Sequence, residues 1–190
     1  MFNNNINDKS MKYRVDQGNS VFPPIIQVNQ THVRVYWDQG TEQHEGMDGK
    51  TVTIHTGKFI EVEGTFTDPV EASRKQLIDE INEYDKSTAV NEFTLNGTPM
   101  WIPRADREAL MRRFEAEKAA GRETTNINQA GQTYTLSIDT AITMMNQLEV
   151  YAADSYDCTQ AHLGAAAALT EFNGIVAYDY TTGYPPKLAF

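Results

Sequence analysis

Apolar and polar residues alternate with a period of two from Met11 to about Gly64, and from Asp68 the period lengthens to about three and a half. The first region reads as antiparallel β. Ile25-Ile26-Gln27-Val28 and the run Thr31–Trp37 flank Asn29-Gln30, a linker of hairpin length. In the second run Val33, Val35 and Trp37 fall on one face, and His32, Arg34 and Tyr36 on the other. Pro23-Pro24 marks the entry, since proline donates nothing to a ladder. Thr51–His55 and Lys58–Glu63 alternate around Thr56-Gly57 and predict a second hairpin. Gln39–Lys50, polar and glycine-bearing, is expected as an exposed loop. This β module, residues 11–67, is small enough to need a neighbour for stability.

Asp68-Pro69-Val70-Glu71 starts the helical region: an N-cap acid, proline in the first turn and a glutamate three residues past the cap. Val70, Arg74, Leu77, Ile78, Ile81 and Tyr84 form the apolar stripe, with Asp79, Glu80, Glu83 and Lys86 expected toward water. Val90–Ile102 predicts a hairpin turning at Asn96-Gly97, a dipeptide suited to the positive φ angles of a type I′ turn. Phe93 and Leu95 lie on one face of the first strand, Met100 and Ile102 on one face of the second, and Trp101 points opposite to them. A helix over residues 103–120 follows, with Leu110 and Phe114 stacked, a Glu108–Arg112 pair on a solvated face and Gly121 as its stop.

A further hairpin, 124–129 with 132–136, turns at Ala130-Gly131. Then Ile138, Ala141, Ile142, Met145, Leu148 and Ala152 lay one stripe along a helix to Tyr156, with Ser137 as N-cap and Asp139 at the positive dipole end. Thr159 is expected to cap a separate alanine-rich helix through Leu169. The sum is an α+β chain. A polar, asparagine-rich arm (1–10) precedes the β module (11–67), with a boundary near residues 65–68. A helix–hairpin–helix–hairpin–helix–helix domain (68–190) follows.

Composition narrows the function classes. A net charge of −10 argues against nucleic acid as a partner, because phosphates must be met by Lys and Arg. The arginines 104, 107, 112 and 113 alternate with Asp106, Glu108, Glu115 and Glu117, which cancels their field. No apolar run approaches the roughly 20 residues of a membrane span, so no membrane partner is expected. Residues 1–10 lack the apolar centre of a secretory signal. Cys158 is the only cysteine, which rules out a disulfide within one chain.

Candidate chemistry is sparse. Glu42, His44, Glu45 and Asp48 lack the alternate spacing and closing glutamate of a calcium loop, and His32 and His55 lack a third placed ligand for zinc. No cofactor or metal is expected. Glu149, close to an apolar stripe, and His162, on the next predicted helix, are expected as a buried structural pair. As an acid–base pair they would still need a nucleophile, a metal or a cleft. The aromatic residues Trp37, Trp101, Tyr178, Tyr180 and Tyr184 are candidates for an interface, having large apolar bodies and polar tips.

The order NEFTLNGTPMWI (91–102), an arginine-bearing helix, QTYTLSIDTAITMMNQLEVYA (132–152), TQAH (159–162) and AYDYTTGYP (177–185) resembles a small domain of unknown function. That domain is found at the C-terminal end of bacteriophage tail proteins and in prophages of gut bacteria. The resemblance covers roughly residues 70–190. It implies a virion structural protein, tail-associated as an adaptor, fibre-base or baseplate part, and made in the host cytoplasm. Its implied partners are other tail proteins and further copies of itself, a homo-oligomer. It carries no catalytic residues to transfer. Two alternatives are a glycan-degrading tail enzyme, which needs two carboxylates across a cleft, and a fibre-assembly chaperone absent from the particle.

Overall fold

The computed structural model describes residues 11–46, 49–129 and 131–190. The arm 1–10, Asp48 and Ala130 lie outside the described residues. The chain is α+β, as its two periods predict, and it forms two compact units. The first comprises Met1–Glu83 with Gln160–Thr182, and the second Tyr84–Thr159 with Gly183–Phe190. The units therefore do not part at residues 65–68. The period change there marks the end of a sheet, and the helix that follows belongs mostly with that sheet.

The first unit holds one antiparallel sheet built from β1 (Arg14–Gly18), β2 (Ile25–Gln27), β3 (His32–Glu45) and β4 (Thr51–Glu63), in the order β1-β4-β3-β2. β2 and β3 turn over Val28–Thr31, where Asn29 Oδ1 accepts from the Thr31 amide and hydroxyl. The predicted break at Thr56-Gly57 does not occur, and β4 runs through it. Gly57 serves a close approach instead. A Cβ there would stand 3.3 Å from the Phe22 ring, and one at Gly18 would stand 3.2 Å from it. Phe22 thus lies over two bare backbones and stacks on Tyr36 at 4.6 Å.

Most of the expected loop 39–50 is strand too. β3 and β4 stay paired out to Glu45 and Thr51, past an irregularity between Trp37 and Gly40 where Asp38 takes φ 50°. Val33 and Val35 face Val62 and Ile60 across the ladder, and all four are buried. Leu77 and Ile81 of α1 (Pro69–Lys86) and Ile175 of α4 (Phe172–Val176) are buried in the same unit. The α1 cap forms as predicted, the Val70 amide donating to Asp68 Oδ1 at 2.8 Å. Glu80, expected in water, is buried and accepts from Gln76 and from the Tyr180 hydroxyl.

In the second unit β5 (Phe93–Leu95) and β6 (Thr98–Met100) turn at Asn96-Gly97, both at positive φ. α2 (Arg104–Ala119) follows, then the hairpin β7 (Thr124–Gln129) and β8 (Gln132–Ser137), then α3 (Ile138–Ala168). Ser137 caps α3 through the Thr140 amide at 3.1 Å. α3 is one helix, not two. No glycine or proline interrupts Tyr156–Thr159, and Thr159, instead of capping, is buried with its hydroxyl donating to Asp85 at 2.7 Å. Residues 188–190 make a parallel bridge to β5 at Thr94 and Ala189, with the Thr94 amide donating to Leu188 O and the Phe190 amide to Thr94 O. The core gathers Phe93, Leu95, Phe114, Ile127, Met144, Met145 and Leu148.

Candidate interaction surfaces

Glu149 and His162 lie on the same helix, 13 positions apart, which is about 20 Å of helical rise. They do not form the expected pair. Each has other partners, fixed by the face it occupies. Glu149 Oε1 accepts from Arg107 Nε at 2.7 Å, and Arg107 is buried, donating also to Ile102 O and lying 5.3 Å from the centre of the Trp101 ring. A buried guanidinium needs such a carboxylate and carbonyl to offset its desolvation. Beside this pair a cleft of about 340 Å³ is lined by Arg104, Arg112, Met111 and Met145. Glu108 pairs with Arg104 at 3.1 Å rather than with Arg112.

His162 sits between Tyr178 and Thr182. Nε2 lies 2.8 Å from Thr182 O and donates to it, and Nδ1 lies 2.9 Å from the Tyr178 hydroxyl. The two contacts staple 178–182 to the helix. The aromatic residues expected at an interface are engaged within their own units. Trp37 meets Tyr13 and Phe172 edge-on, Trp101 meets Tyr151, and Tyr184 meets Tyr84 while contacting the Thr159 hydroxyl at 3.0 Å. Tyr180 is buried against Glu80. The tyrosine hydroxyls are used to fasten the chain's final segment.

Among the described residues no three of His, Cys, Asp and Glu stand together as metal ligands. Glu42, His44 and Glu45 are exposed along β3. His32 faces Glu63 across the ladder and His55 faces Thr41, so the two histidines are not cross-strand neighbours. Burial pushes the Cys158 thiol above its ordinary range, which disfavours the reactive thiolate. Among the described residues no helix is long and apolar enough to cross a membrane.

Among the described residues two surfaces stand out as uncovered. In the second unit an apolar groove of about 430 Å³ runs along α3, lined by Asn146, Val150, Tyr151, Pro185, Pro186 and Leu188. In the first, the outer half of the β3–β4 ladder (Thr41–Glu45 with Thr51–His55) is a two-stranded ribbon of mostly exposed residues. Glu42, His44, Val52 and Ile54 share one of its faces, and Thr41, Gln43, Glu45, Thr51, Thr53 and His55 the other. The polar face is tied by Gln43 and Thr53, whose side chains bond at 3.1 Å. The polar composition of 39–50 predicts a loop here, although the β-branched run Thr51–Ile54 carries the strand signal. No family model, curated protein or solved structure matches this chain.

Proposed function

We propose that the protein is a structural component of a bacteriophage particle, tail-associated as an adaptor, fibre-base or baseplate part, and that it acts by assembly with other tail proteins and with itself. The observation that carries this reading is the outer half of the β3–β4 ladder. Two strands continue well past the sheet that supports them, with backbone edges unpaired among the described residues and Val52 exposed. An isolated ribbon of this kind is marginal in water and gains stability when a neighbour adds a strand. The order of motifs over residues 70–190 supports the tail as its setting.

Mass spectrometry of purified particles tests the proposal. The chain should be present in a fixed ratio to known tail proteins. Its absence from particles that need it in order to grow fibres would make it an assembly chaperone instead. Release of sugars from cell-surface glycan by the purified protein would make it an enzyme. Either result overturns the structural reading.

A further inference from the structure

We infer that the outer edge of β4, residues Thr51–Ile54, is where two copies of this chain pair, strand to strand, about a two-fold axis at Val52. This rests on the assembly reading and names the partner as a second copy. β1 covers β4 only from His55 to Phe59, so among the described residues the ladder positions from Thr51 to Ile54 are open on that side. The open edge has no charge and no proline, the two devices that ordinarily keep an edge from pairing. Three of its four residues, Thr51, Val52 and Thr53, are exposed. All four are β-branched.

Charge points to a second copy. A chain carrying −10 repels its own kind, so copies meet most easily where no charge stands. The opposite edge of the same ribbon, on β3, carries Glu42 and Glu45, and self-pairing there would crowd four carboxylates onto one short ladder. The β4 edge meets no such penalty.

Sheet geometry then selects the register. A two-fold perpendicular to the ribbon presents the same face from both copies, which requires opposed residues of equal parity. With the axis at Thr53, Thr51 of the second copy would face His55, a position already held by Gly18. With the axis at Val52, Val52 faces Val52 of the second copy and Thr51 faces Thr53, all within the open stretch. Two exposed valines are then buried against one another, and threonine pairs bond across the other face.

The full-length protein tests this by light scattering over a dilution series, with Val52→Lys and Glu42→Lys compared. Wild type should dimerise. Val52→Lys places two ammonium groups opposite each other and should raise the dimer Kd at least about tenfold, while thermal stability of the diluted monomer stays unchanged. Glu42→Lys, on the other edge, should leave the dimer intact. A Val52→Cys, Cys158→Ser variant should oxidise to a covalent dimer. A wild type that is monomeric throughout, or a dimer that Val52→Lys leaves intact, overturns the pairing. Particle mass spectrometry separates failure of the pairing from failure of the structural role. A monomer found in particles sinks the self-pairing alone, and a Val52-dependent dimer absent from particles sinks the structural role alone.

Discussion

The inner and outer halves of the β3–β4 ladder are the same two strands under opposite conditions. In the inner half Val33, Val35, Ile60 and Val62 are buried on one face. The other face is filled as well, Tyr36 lying 5.5 Å from Phe59, and Phe59 lying beneath the Arg14 and Arg34 guanidiniums. Arg34 is held in turn by Glu61 at 2.9 Å. In the outer half the hydrogen-bond ladder continues, but among the described residues almost nothing covers it. Pairing alone therefore does not decide which strands contribute stability. Covering does, and among the described residues the outer half has little of it.

The largest expected effect separates the halves directly. Ile60→Ala should cost about 2–5 kcal/mol in urea unfolding, as a buried isoleucine does. Ile54→Ala, on the same strand in the outer half, should change the diluted monomer by no more than about 0.5 kcal/mol. Equal losses would mean that the ribbon is part of the folded core.

Phe22→Ala probes the second face. Removing the ring bares the Gly18 and Gly57 backbones and unstacks Tyr36, for an expected loss of about 2 kcal/mol. A ring that merely floats on the surface would leave the unfolding midpoint where it was.

Glu80 on α1 gives the pH dependence. Burial raises its pKa above the ordinary 4.5, although hydrogen bonds from Gln76 and Tyr180 oppose the shift. The folded chain thus holds this proton more tightly than the unfolded one. The stabilisation is fully present below the ordinary value and fades as pH rises through the raised one. Glu80→Gln should therefore flatten this part of the Tm–pH profile and raise Tm at neutral pH. An unchanged slope would show that the fold does not raise the pKa of Glu80.

The smallest effect belongs to Ser73 on the same helix. Its hydroxyl is fully buried without a hydrogen-bond partner among the described residues, so Ser73→Ala should gain about 1 kcal/mol. A loss of stability in calorimetry would reveal a partner for the hydroxyl.

Legibility in the sequence depends on whether a signal is local. Asp68 and Ser137 cap their helices, and Asn96-Gly97 turns its hairpin, because each acts through its own next few residues. Gly57 misleads because its purpose lies in Phe22, far along the chain. Thr159 resembles a cap because its true partner, Asp85, is distant in sequence. Glu149 and His162 stand out as polar groups near apolar stripes, yet Arg107, Tyr178 and Thr182 are their partners. The bridge made by residues 188–190 has no alternation to announce it, being set by the Thr94 backbone.

The interleaving of the two units governs how the chain is made. The sheet's unit is finished only by residues 160–182, and the other only by 183–190. After Glu63 leaves the ribosome, roughly a hundred more residues must be translated before Gln160 appears, a wait on the order of 5–20 seconds. Throughout that interval Val33, Val35, Ile60 and Val62 lack the segment that completes their unit. Nascent chains are thus expected to engage cellular holdases during synthesis, and truncation before residue 160 should yield aggregates rather than a soluble half.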